Sequence, residues 1–149
     1  MIKYVHGNLL ESDAQVLVNT VNCRGIMGAG IAKQFKQKFP EMFNEYKLAC
    51  KRDKLQCGGD IWPYTFIEMF EIRSILCIAT KENWMFPSRI EWIERGLQNF
   101  VAWADRCCIK TVAFPKLGCN NGKLNWEKQV KPLMEKYLEP LETICYVYI

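Results

Sequence analysis

Three segments of the chain carry residue types suited to a phosphorylated sugar, and each follows an apolar run. The first reads Asn19-Thr20-Val21-Asn22-Cys23-Arg24-Gly25-Ile26-Met27-Gly28-Ala29-Gly30-Ile31, a strand passing through a glycine-rich turn into a helix. Glycines let backbone N–H groups approach a phosphate closely, and a helix N-terminus adds a favourable dipole, so Gly28, Ala29, Gly30 and Ile31 could cradle a diphosphate. The pattern is neither G-x-x-x-x-G-K-[ST] nor G-x-G-x-x-G, and a turn that needs glycine only for its backbone shape remains an equal reading. Asn19 and Asn22 at the strand end could meet a ribose hydroxyl, or simply close an Asx turn.

The second segment, Phe114-Pro115-Lys116-Leu117-Gly118-Cys119-Asn120-Asn121-Gly122, could form another phosphate-embracing loop from backbone amides, although any surface turn is rich in Gly and Asn. Cys119 has no histidine placed as its base and reads as a structural thiol. The third, Ile78-Ala79-Thr80-Lys81-Glu82-Asn83-Trp84, ends a buried-looking strand in a lysine. A lysine desolvated at a pocket edge loses its proton more readily, and a neutral amine can attack an aldehyde to form a Schiff base; most lysines past a strand end are merely solvated. Trp84 is read either as a stacking surface for a base or as a cover for the core.

These segments need a frame. Runs rich in β-branched and aromatic residues at Ile2–Val5, Val16–Val21, Ile61–Ile67, Ser74–Ala79, Thr111–Phe114 and Thr143–Ile149 are strand candidates. Helical spacing is clearest from Ser88 to Cys107, with Ser88 and Glu91 as a capping box. A helix is expected from Gly28 to Phe39, stopping at Pro40. Another should run through Phe43, Tyr46 and Ala49, and a last one should start near Val130, because Pro132 is tolerated only in a first turn. Strands alternating with helices predict a single α/β domain over 1–149, with helices on both faces of a mixed, largely parallel sheet of about six strands.

Composition fits that frame. At 149 residues, 50% hydrophobic and 24% charged, the chain is ordinary for a globular domain able to bury one core without staples. The apolar runs are too short to span a bilayer, and Met1–Val5 lacks the features of a secretory signal, so a cytoplasmic place is expected. Eight cysteines with no C-x-x-C pair, and a lone histidine, His6, make zinc improbable and reduced thiols the expectation. A net charge of +4 favours anionic partners only weakly.

The order of the motifs is more specific than any one of them. His6-Gly7-Asn8-Leu9-Leu10, Val18-Asn19-Thr20-Val21-Asn22, Met27-Gly28-Ala29-Gly30-Ile31-Ala32, Phe35-Lys36, Phe39-Pro40, Thr80-Lys81 and Pro115-Lys116-Leu117-Gly118-Cys119 together resemble the macrodomain family, over nearly the whole chain. The resemblance implies a three-layer α/β/α fold that binds ADP-ribose without a cofactor or metal. Within the family the chain is most similar to the branch that removes ADP-ribose from thymidine in DNA, and to the related glycohydrolase acting on terminal ADP-ribose of proteins. That likeness implies Lys81 as the catalytic residue, acting at the anomeric carbon of the distal ribose either as a Schiff-base nucleophile or electrostatically. It places Asn22 at the distal ribose, Gly28 to Ile31 at the diphosphate and ribose, and Gly118, Cys119, Asn120, Asn121 and Gly122 at the phosphates. Asn8 and Leu9 fall by the adenine.

Two departures bear on function. Asn8 stands where many members have an aspartate, so it would accept from the adenine amino group more weakly, through a carbonyl oxygen. Gly122 stands where the protein-acting relative has an aspartate, which favours the DNA branch over a two-residue Lys/Asp mechanism. The implied partners are ADP-ribose and ADP-ribosylated DNA, with ADP-ribosylated protein and a toxin as further candidates. The rival readings are a non-catalytic ADP-ribose module and a hydrolase of O-acetyl-ADP-ribose or ADP-ribose 1″-phosphate.

Overall fold

A computed structural model describes residues 1–149 except Trp84. Both sequence readings of Trp84 therefore lie outside the described residues. Among those described, a six-stranded sheet has the order β1-β6-β5-β2-β4-β3. The strands are β1 (Ile2–Val5), β2 (Val16–Asn22), β3 (Ile61–Glu68), β4 (Glu71–Lys81), β5 (Thr111–Phe114) and β6 (Ile144–Tyr148). All neighbours pair in parallel except β3, which runs antiparallel to β4 at one edge. The mixed α/β sheet expected from the sequence is thus present.

Among the described residues four α-helices cover the sheet: α1 (Gly30–Lys38), α2 (Pro40–Lys51), α3 (Ile90–Arg106) and α4 (Lys131–Leu138). Alternation along β2 explains the two layers. Val16 and Val18 join Leu76, Ile93, Phe100 and Met134 on the α3/α4 side, whereas Leu17 and Val21 join Phe35, Met42 and Tyr46 on the α1/α2 side. Phe100 anchors the first layer, fully buried and edge-on to Phe114 at 4.9 Å between ring centres. Phe100→Ala is expected to cost about 4 kcal/mol in a urea titration, because removing a ring from a packed core leaves a cavity. A loss under about 1 kcal/mol would mean that this layer collapses around the gap.

Several boundaries differ from the sequence reading for physical reasons. β4 extends from Ser74–Ala79 to Glu71–Lys81 because it folds back on β3 through a two-residue turn at Met69 and Phe70, whose φ values are 49° and 67°. Helix α1 begins at Gly30, not Gly28. Ser88 and Glu91 do not form a capping box: Arg89 is the α3 N-cap without a side-chain bond, and the buried Ser88 hydroxyl donates to Thr80 Oγ1 at 3.3 Å. The last helix is preceded by a π turn at Trp126–Val130, and Pro132 then sits in the first turn of α4. The expectation of reduced thiols throughout is corrected as well, since Cys23 and Cys57 are joined in a disulfide with 5.3 Å between their Cα atoms. It ties the residue after β2 to the chain beyond α2. Among the described residues no helix is long and apolar enough to cross a membrane.

Candidate active site

The strand order switches between the parallel neighbours β2 and β5: the chain leaves β2 towards β3 and β4 on one side, and leaves β5 towards β6 on the other. A crevice must open beyond the carboxyl ends of the strands at such a point. A cavity of about 780 Å³ lies there, within the range of ligand sites. Its lining joins the ends of β2, β4, β5 and β6 to the turn before α1, the loop after β5, and Gly7 to Leu10 after β1.

The glycine-rich turn forms one wall. Asn22 ends β2, and its carboxamide holds the turn: Oδ1 accepts from Arg24 N at 3.0 Å and from the Tyr46 hydroxyl at 2.9 Å, while Nδ2 donates to Ile26 O at 2.8 Å. One Nδ2 hydrogen is left for the cavity that Asn22 lines. Burial raises the Tyr46 hydroxyl well above its ordinary pKa, so it stays a donor. Gly28, Ala29, Gly30 and Ile31 follow along the lining, and Ala29 caps α1 with no side-chain bond. Lys33 N donates to Ala29 O at 3.2 Å, while the N–H groups of Gly30, Ile31 and Ala32 have no protein acceptor among the described residues and are open to an anion.

The loop after β5 forms the opposite wall, with Gly118, Cys119, Asn120, Asn121 and Gly122 all on the lining. Leu124 N donates to Gly118 O at 2.9 Å and Lys123 N to Asn120 O at 3.2 Å, closing the loop on itself. The N–H groups of Asn120, Asn121 and Gly122 have no protein acceptor among the described residues. The two walls nearly touch, since a Cβ built on Gly30 would lie 2.5 Å from Asn121 Nδ2. Gly30 has φ +58°, so both its conformation and that approach call for glycine. Cys119 is half-buried, and burial pushes its thiol up to about 11, against a smaller opposing pull from Lys116; it is not a poised nucleophile.

Lys81 ends β4 in the floor between the walls, half-buried, with its amine pKa lowered first by desolvation and then by the charge of Lys123. Lys81, Lys116 and Lys123 line the cavity, and no Asp or Glu does so among the described residues. This balance suits an anion carrying two phosphates. Asn8 and Leu9 reach the far end beside Tyr148, with Asn8 Oδ1 accepting from Leu10 N at 3.1 Å.

Asn19 is the sequence candidate that the fold does not bring to the cavity. It shares the α1/α2 face of β2 with Leu17 and Val21 and is fully buried. Its Nδ2 lies 3.8 Å from Met27 Sδ, and its Oδ1 has no hydrogen-bond partner among the described residues. Sequence reasoning in turn missed Lys123, Ser88, Trp126 and Tyr148 on the lining. Only Lys123 carried a signal, as the cation directly after the second glycine-rich segment.

Comparison with known proteins points the same way. A DNA ADP-ribosyl glycohydrolase of Thermus aquaticus is 40% identical over 149 residues, which are 99% of this chain and 41% of that protein. This chain thus spans about two fifths of that relative's length. The solved macrodomain of Thermus aquaticus DarG superposes with a TM-score of 0.93 at 40% identity, covering 100% of this chain and 98% of the other. The structure of Thermosipho africanus DarTG in complex with ADP-ribose gives 0.92 at 33% identity, covering 99% of this chain and 41% of the other. The Macro domain model matches residues 18–133, from the middle of β2 into α4, and so takes in both glycine-rich walls and the lysine between them: the chain belongs to the Macro domain family.

Proposed function

We propose that the chain binds ADP-ribose along this cavity and hydrolyses the bond between ADP-ribose and thymidine in DNA, with Lys81 as the catalytic residue. The observation that carries the reading is the lysine itself: a half-buried amine, disposed to lose its proton, between two walls of free backbone amides. Asn8 and Leu9 would meet the adenine, the two walls the diphosphate, and Asn22 with Lys81 the distal ribose. A related macrodomain protein solved with ADP-ribose, and a relative named for DNA ADP-ribosyl hydrolysis, support the same choice. The reading extends to a cytoplasmic chain that opposes a DNA-modifying toxin.

In this mechanism the neutral Lys81 amine attacks C1″ of the distal ribose. The bond from C1″ to the base breaks, its electron pair leaves with the base, and the base takes up the proton released by the attacking nitrogen. The sugar ring opens to an imine on Lys81; water adds, ADP-ribose departs and the amine is restored.

The test compares ADP-ribose release by the wild-type chain from a thymidine-modified single-stranded oligonucleotide, from a modified protein and from O-acetyl-ADP-ribose. Release from the oligonucleotide alone is expected. Release only from protein or from the small ester would move the substrate assignment, and binding without any release would make the chain a reading module. ADP-ribose at a hundred times its Kd should also stabilise the fold by about 2.7 kcal/mol. An unchanged melting temperature would overturn the whole reading.

A further inference from the structure

Resting on the hydrolase reading above, we propose that Lys123 is a positioning residue: it is the cation, held beside Lys81 at the cavity, whose charge eases release of the Lys81 proton before attack. The two lysines stand on either side of a hydrogen-bonded bridge. Ser88 Oγ donates to Thr80 Oγ1 at 3.3 Å, and Ser88 N donates to Gly122 O at 2.9 Å. Arg89 N adds a bond to Thr80 O at 3.3 Å. Lys81 directly follows Thr80 and Lys123 directly follows Gly122, so the bridge fixes both backbones at one edge of the cavity that both side chains line.

The backbone at Lys123 has φ +62°, one of five positive values at non-glycine residues among those described, and turns the chain out of the second wall directly after Gly122. Lys123 is exposed and makes no ion pair among the described residues, so its charge does nothing visible for the fold.

The surroundings leave the two ammonium groups uncompensated. Glu82, next to Lys81, is held by Arg24 at 2.6 Å. Asp60, which pairs with the end of β4 through Ala79, turns its carboxylate back to the N–H groups of Gln56 and Ile61. From α3, the Arg89 guanidinium lies over the Trp92 ring at 4.8 Å, and Lys116 adds a further cation from the start of the second wall. Cys23, after β2, is disulfide-bonded and does not titrate. Two like charges at one edge favour loss of one proton, and the more desolvated group gives it up to solvent. Lys81 is that group, and its lowered pKa agrees.

The experiment uses the full chain and its Lys123→Met and Lys123→Arg variants. Trace acetic anhydride labelling across a pH series, read at the Lys81 peptide by mass spectrometry, reports the protonation of Lys81 without needing turnover. ADP-ribose release from the modified oligonucleotide is followed over the same series, with ADP-ribose binding alongside. Lys123→Met is expected to move both the Lys81 labelling midpoint and the acid limb of the rate profile to higher pH. Release should be about three- to tenfold slower on the acid side and recover at alkaline pH, with Lys123→Arg close to wild type. An unmoved midpoint in Lys123→Met would overturn the proposal. If ADP-ribose binding fell at the same time, Lys123 would be a phosphate ligand instead. If the wild type released nothing from any substrate, the hydrolase reading would fail, and the labelling midpoint would still decide whether Lys123 governs Lys81.

Discussion

Lys81→Ala is expected to abolish release of ADP-ribose from thymidine-modified DNA, by at least about a thousandfold, while ADP-ribose binding stays within about threefold. The split follows from position. Lys81 lies in the floor at the end of β4, whereas the proposed phosphate seats are backbone amides on the two walls and do not depend on a side chain there. Stability supplies the folding control, and its sign is fixed by the direction of the shift. Lys81 binds its proton less tightly in the folded chain than in the unfolded one, so at neutral pH its charged form opposes folding, and that penalty lifts as pH rises towards the ordinary lysine value. Removing the amine removes the penalty, so the variant should melt no lower than the wild type near pH 7. Lys81→Arg separates the two chemical roles. A guanidinium keeps the charge and cannot serve as a neutral nucleophile, so an inactive Lys81→Arg supports attack by the amine and substantial residual activity supports electrostatic help. Cyanoborohydride added during turnover should reduce the imine to a stable adduct on the Lys81 peptide. No adduct there, with release intact, would rule out the covalent route.

What could be read from the sequence divides by range. The strands were legible because β-branched and aromatic runs announce a buried sheet, and the two glycine-rich walls because each directly follows such a run. Lys81 stands out as a cation ending an apolar strand, but most such lysines are merely solvated, and its catalytic role comes only from the family resemblance. Asn19 was misplaced although period-2 alternation, which pairs it with Leu17 and Val21, already turned it away from Asn22. The cap at Ser88 was misread because a tertiary partner, Thr80, competes for the hydroxyl that a local rule would spend on the helix. The Cys23–Cys57 pair bridges 34 positions with no spacing motif, and the role proposed for Lys123 depends on a bridge from Thr80 through Ser88 to Gly122; neither is a local property of the chain.

Gly122→Ala is expected to weaken ADP-ribose binding by tenfold or more, about 1.4 kcal/mol, and to lower release by at least the same factor. The reason is space and not conformation. A Cβ at Gly122 would run into Ser88 Oγ and the Gly118 carbonyl oxygen, with the Gly118 carbonyl carbon at 2.8 Å. The Ser88 hydroxyl could rotate away; the Gly118 backbone cannot, because it is held by Leu124 N and packed between Ser88 and Ile93. The wall must open instead, which breaks the bond from Ser88 N to Gly122 O and scatters the amides that would face a phosphate. Pairing the change with Ser88→Ala should therefore rescue only a small part of the loss. The same geometry decides what the missing aspartate means. If its absence were a simple deletion from a Lys/Asp pair, Gly122→Asp would raise activity on protein-linked ADP-ribose. Since the Cβ position is already occupied, Gly122→Asp is expected to behave as Gly122→Ala or worse on every substrate. A gain on modified protein would show that this wall can move to admit the carboxylate, and would sink the single-lysine mechanism.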